Sequence, residues 1–93
     1  MAKSKIIILH PSDNVGVIIS DVKKGESIEI SGGIIKTISD ITFGHKMALK
    51  NLSKGEKVKK YGVPIGIITS NVDAGGHVHI HNIESLYMKQ YTK

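Results

Sequence analysis

The chain has no cysteine, no arginine and no tryptophan. Without thiols it holds no disulfide, no thiolate zinc site and no cysteine nucleophile. Without arginine it lacks the planar fork that grips phosphate and guanine through paired hydrogen bonds. Its aromatic side chains besides histidine are Phe43, Tyr61, Tyr87 and Tyr91, too few to stack a run of bases. Long apolar runs are missing as well. The first, Ile6-Ile7-Ile8-Leu9, falls short of a signal-peptide core and far short of the ~20 residues that span a bilayer. The absences predict no nucleic-acid partner, no membrane partner and a cytoplasmic protein.

What is present describes a small folded unit. The chain has 93 residues, 40% apolar and 23% charged. A chain of this size buries roughly 60–65% of its unfolded surface and has room for one core and a shallow site. That favours a module or a subunit over a self-sufficient enzyme. Thirteen lysines against eight carboxylates give a net charge of +5. The lysines are dispersed, adjacent only at Lys23–Lys24 and Lys59–Lys60. Such a spread pulls on small anions better than it grips a phosphate backbone.

The apolar residues fall in short β-branched runs: Ile6–Leu9, Val15–Ile19, Ile28–Ile30, Ile34–Ile35 and Ile65–Thr69. Ten glycines punctuate them. Branched runs between glycine turns predict a mostly β domain of the barrel or sandwich kind. One helix is expected, at the C-terminus: Asn82 is a suitable N-cap, and Ile83, Leu86 and Tyr87 follow at helical spacing, with Tyr91 beyond. An eight-residue form recurs at Asp21–Ile28, Asn51–Val58 and Asn71–Val78. It reads Asp or Asn, aliphatic, two residues, glycine, two residues, aliphatic. The Asx side chain bonds nearby amides and the glycine takes positive φ, so each copy predicts a similar corner.

Chemistry concentrates in the histidines. His77, His79 and His81 alternate with Val78 and Ile80, so a strand over 77–81 puts three imidazoles on one face. Imidazole binds borderline divalent ions and titrates near neutrality. Neighbours i and i+2 lie ~6.5–7 Å apart, so two rings converge on one ion readily and three need a bulge or a bend. His45, or a carboxylate from Asp13, Asp40 or Glu84, is a candidate to complete a shell. The same triplet on an exposed or partner-facing strand is the plainer alternative. No His-Glu-x-x-His, phosphate loop, dinucleotide fingerprint or serine elbow occurs. Met47 and Met88 read as packing residues.

Three segments together resemble a known family. They are His10-Pro11-Ser12-Asp13-Asn14-Val15-Gly16-Val17, the run from Gly44-His45-Lys46 through Lys60-Tyr61-Gly62-Val63-Pro64-Ile65-Gly66, and Ala74-Gly75-Gly76-His77-Val78-His79-Ile80-His81-Asn82. From about Ile6 to Ile83 the chain is similar to the small domain of the altronate and galactarate dehydratases. The resemblance implies an SAF-like β-clip fold: one domain over residues 1–93, with a core at 5–83 and a tail or short helix at 84–93. It implies a non-autonomous lyase subunit, hydro-lyase or carbon–sulfur lyase. The reaction would be loss of water from a sugar acid, or the related cleavage of sulfolactate, shared with a large dehydratase or lyase subunit. The substrate class it implies is a small acidic hydroxylated molecule, and the cofactor a divalent metal, Fe²⁺ first, then Zn²⁺ or Mn²⁺. By the same resemblance His77, His79 and His81 are metal candidates, and His45, Lys46, Lys60 and Asn82 substrate contacts. No catalytic base is assigned to this chain, and a homo-oligomer is also compatible. The family commonly has a basic residue where this chain has Phe43, which leaves the substrate open. A stand-alone metal- or small-anion-binding module without catalysis is the alternative reading.

Overall fold

The computed structural model describes residues 5–30, 33–79 and 81–85. Among these the regular structure is all strand, as the β-branched runs predict. The strands are β1 (Ile6–Ile7), β2 (Val15–Ile18), β3 (Ser27–Ile30), β4 (Gly33–Lys36), β5 (Lys46–Ala48), β6 (Lys57–Lys60), β7 (Val63–Ile68), β8 (His77–Val78) and β9 (Ile83–Ser85). They form a four-stranded sheet ordered β1-β2-β5-β8, a β3–β4 hairpin, and a three-stranded sheet ordered β6-β7-β9. Every pairing is antiparallel. No helix among the described residues is long and apolar enough to cross a membrane.

The corners form as the repeat predicts, and there are four of them. Asp40-Ile41-Thr42-Phe43-Gly44-His45-Lys46-Met47 completes the set. The four pair reciprocally. The Asp40 carboxylate accepts from the Lys24 amide, and Asp21 accepts from the Phe43 amide, each at 2.7 Å. Asn71 and Asn51 do the same for Lys54 and Ala74, each at 2.8 Å. Each Asx therefore caps the turn of the other corner. Val22 bridges Ile41, and Leu52 bridges Val72, tying each pair. The glycines Gly25, Gly44, Gly55 and Gly75 all have φ between 87° and 92°, a region that costs a side-chain-bearing residue ~1–2 kcal/mol.

The corner pairs divide the chain into two equivalent halves with separate apolar clusters. Ile18, Val22, Ile28, Ile41 and Met47 pack together in the first. Ala48, Leu52, Val58, Val72 and Val78 are their counterparts in the second. Each of these side chains is 0–6% exposed, and full burial of such groups is worth ~1.5–3 kcal/mol apiece for the larger ones. Met47 packs as expected. Met88 lies outside the described residues.

Two sequence expectations differ from the structure at the C-terminal end. The strand over 77–81 stops at Val78, because the chain turns between His79 and Asn82. Ile83–Ser85, read as the first turn of a helix, is β9, paired with Gly66–Ile68 of β7. Backbone partners offered by the free edge of β7 outweigh a two-turn helical spacing that is marginal by itself. The rest of the expected helix lies outside the described residues.

Candidate metal centre

The site is assembled by β5, β8 and the turn that follows. In the β5–β8 ladder Met47 faces His77 and Lys46 faces Val78. One step further along the same register, His45 stands opposite His79. A cross-strand pair on one face brings side chains together, and the diagonal neighbour follows. Accordingly, the His45 and His79 rings stack with centroids 4.0 Å apart and planes 12° apart. His77 joins them at 4.9 Å from His45 and 5.6 Å from His79. Nδ1 of His45 and Nε2 of His77 are 2.7 Å apart, so one ring carries the proton and the other accepts it.

Asn82 sets the bend that makes this convergence. Its Oδ1 accepts from the His79 amide at 2.9 Å, and its Nδ2 donates to the His77 carbonyl at 2.7 Å. Its own amide donates to the His79 carbonyl at 2.9 Å. Both ends of the buried side chain are thus committed to backbone. The expected bend exists, and it turns His81 aside. The His81 ring lies 4.9 Å from His77, tilted by 42°, and a metal-competent group forms among His45, His77 and His79. The ligand atoms of those three lie within 4.8 Å of one another. Three imidazoles without a carboxylate suit a borderline ion such as Zn²⁺ or Fe²⁺ and ill suit Mg²⁺ or Ca²⁺. Modest side-chain shifts bring such nitrogens to metal-bonding distance, so the residues present fit a divalent metal.

Electrostatics favour the ligand form of the rings. Burial pushes the His77 imidazole below its usual value, and His81, His45 and His79 push it further. His79 is lowered by burial first, then by His45, Lys46 and His81. Both are therefore biased toward the neutral state that coordinates metal. Lys46 is half-buried. Burial lowers its ammonium, and Lys60 adds repulsion. Lys60 also lies 5.3 Å from the Tyr61 ring centroid. Lys46 also bears on His79, and two ammonium groups close enough to repel each other attract an anion.

Asp13 and Asn14 were legible as motif residues but not as the struts they are. Asp13 accepts from the Tyr61 and Gly62 amides at 3.1 and 2.8 Å. Those two residues have positive φ, 59° and 75°. Asn14 donates to the Lys57 carbonyl and accepts from the Lys59 amide, both at 2.8 Å, across the register shift at Val58/Lys59. The dipeptide fastens the whole β6–β7 hairpin, and with it Lys60. Of the proposed carboxylates, Asp13 and Asp40 are thus occupied by backbone amides rather than by the histidines.

The family described as the altronate/galactarate dehydratase SAF domain matches residues 4–86. The chain belongs to that family. Altronate dehydratase from Escherichia coli is 40% identical over 82% of this SAF-family chain, and that of Bacillus subtilis 37% over 85%. The alignments cover only 15% and 16% of those two enzymes, so the chain spans about a sixth of their length. The (2R)-sulfolactate sulfo-lyase subunit alpha of Chromohalobacter salexigens is 31% identical over 84% of the chain and 92% of its own length.

Proposed function

We propose that this SAF-family chain is the small component of a two-part lyase, acting on a small acidic hydroxylated substrate in the cytoplasm together with a large dehydratase or sulfo-lyase subunit. The observation that carries the reading is the convergence of His45, His77 and His79, with Lys46 near enough to bear on His79. The three histidines would hold a divalent metal, Fe²⁺ first among the candidates, with Zn²⁺ or Mn²⁺ as alternatives. Polarisation of a substrate oxygen is the chemistry such an ion supplies. Lys46 and Lys60 draw in the carboxylate or sulfonate and orient it. Asn82 acts by holding the bend between His77 and His79. The base that removes the proton beside the carboxylate belongs to the large subunit. The likeness to a subunit of a sulfo-lyase over nearly its whole length supports the two-part arrangement.

The test is reconstitution with the companion large subunit. His45→Ala and His79→Ala should lower turnover by at least roughly 100-fold, comparable to or above the loss of an outer-shell partner of a metal. Unchanged turnover and unchanged complex formation in both variants would sink the reading. A stand-alone module that captures a metal or small anion draws on the same trio, since one chain supplies all three donors. Tight zinc binding by calorimetry, with no association to the large subunit, would select that alternative.

A further inference from the structure

The row of imidazoles continues past the metal-competent group. His77 and His81 also line an open cleft of about 330 Å³, with Ile38, Ser39, Asp73 and Asn82. Neither His45 nor His79 borders it. His77 is therefore shared, one ring between two compartments. The Ser39 Oγ is buried and has no hydrogen-bond partner, the one such side-chain atom among the described residues. A buried hydroxyl left unbonded is costly, and native structures retain few of them. The Asn82 amide does not answer it, since both its ends bond the backbone of His77 and His79. Ile38 adds an apolar wall that is 47% exposed.

We propose that this cleft is the subsite for the hydroxylated carbon chain of the substrate, with the Ser39 hydroxyl and the His81 ring as its hydrogen-bond partners. The inference rests on the metal-and-anion reading of the neighbouring site, and extends it to the part of the molecule that does not react. An alcohol both donates and accepts, so it satisfies a serine hydroxyl in either sense. The CH faces of a polyol lie against Ile38. The volume suits a few carbons, at the small end of ligand pockets. The acid end of the same molecule then lies on the Lys46 and Lys60 side, across His77. A subsite of this kind gives the buried Ser39 hydroxyl the partner it lacks.

Two probes separate the subsite from the site it extends: lactate, a 2-hydroxy acid without a tail, and gluconate, which carries a hydroxylated tail on the same acid end. Each is titrated into the isotope-labelled, zinc-loaded chain and followed by amide shifts. Lactate should move the Lys46 and His79 amides. Gluconate should move those and also Ser39 and Asp73. In Ser39→Ala the preference for gluconate over lactate should fall several-fold, while the melting temperature holds or rises. If gluconate moves Lys46 and His79 but leaves Ser39 and Asp73 still, the subsite is overturned and the metal-and-anion reading stands. If neither probe moves Lys46 or His79, that reading fails and the subsite with it. A Ser39→Ala chain that melts earlier or fails to fold makes the hydroxyl structural and overturns the subsite.

Discussion

Ile28 and Val58 occupy equivalent strands of the two halves, and both are buried at their centres, yet the hairpins they anchor are finished differently. In the first half, β4 carries Ile34 at 67% exposure. In the second, β7 is six residues long and pairs on its other edge with β9. The β6–β7 turn is held by Asp13, and β6 itself by Asn14. The histidines are divided between the halves too. His45 lies in the second corner of the first half, His77 lies in the second corner of the second half, and His79 follows just after it. The same corner chemistry thus builds two similar frames, and the added fastening falls on the frame that carries Lys60 and most of the histidines. Repetition supplies the scaffold; departures from it mark the site.

Equivalent glycines break that comparison most sharply. Gly44 and Gly75 close matching corners with φ of 90° and 87°. A Cβ at Gly44 meets nothing within 4 Å, whereas one at Gly75 falls 2.2 Å from the Lys36 carbonyl oxygen. Gly44→Ala should cost ~1–2 kcal/mol, the left-handed penalty alone. Gly75→Ala should cost ~3 kcal/mol or more, because the clash is with backbone and a strand end must shift. Urea unfolding of the two variants measures the gap. Equal losses would mean the halves are packed more alike than their geometry shows.

The fastening of the second hairpin comes next in size. Asn14→Ala strips partners from the Lys57 carbonyl and the Lys59 amide at a buried side chain, and should cost ~2–3 kcal/mol. Asp40→Ala removes an exposed bond to the Lys24 amide and should cost ~0.5–1.5 kcal/mol. Thermal unfolding that ranked Asp40 above Asn14 would contradict the stronger tethering of the second half. Asn14→Ala should also weaken lactate binding to the zinc-loaded chain, since Lys60 loses its support.

Much of this was legible from residue order, and the remainder has identifiable causes. Short β-branched runs announced β1, β2, β3, β4 and β7. The charged β6, Lys57-Val58-Lys59-Lys60, hid because one buried residue in four carries no visible alternation. The fourth corner hid behind Phe43 and Met47, which blur an otherwise matching Asp-aliphatic-x-x-Gly form. The histidine cluster was visible as spacing, and so was the need for a bend. That His45 comes beside His77 and His79, with His81 4.9 Å from His77, follows from the β5–β8 register, and register is a tertiary fact that no local spacing reports. The Asp13–Asn14 struts join residues far apart in the chain, and the burial of the unbonded Ser39 hydroxyl is a product of tertiary packing, so no local pattern reports them.

The smallest expected effect concerns Glu26 and Glu56, which hold the same place in the two halves. Each accepts from the amide three residues before it, Lys23 or Ser53, at 3.0 Å. Their lysine partners differ: Lys5 bonds Glu26, while Lys50 stands 3.7 Å from Glu56. The Lys5 bond, and after it the Lys23 amide, hold the Glu26 carboxyl below the usual glutamate value. A carboxyl depressed in the folded state contributes stability above the unfolded value of about 4.3, and loses it as pH falls through the lower folded value. Below both values the contribution is gone. Glu26→Gln should therefore lower the melting temperature slightly at pH 7 and match the parent chain at the acid end of that window. The exposed setting, with Glu26 open to solvent screening, keeps the change small, and added salt should shrink it further. A Glu26→Gln deficit that persisted unchanged to the acid end would show that the charge is not what the Lys5 contact stabilises. The half-to-half difference would then reduce to packing.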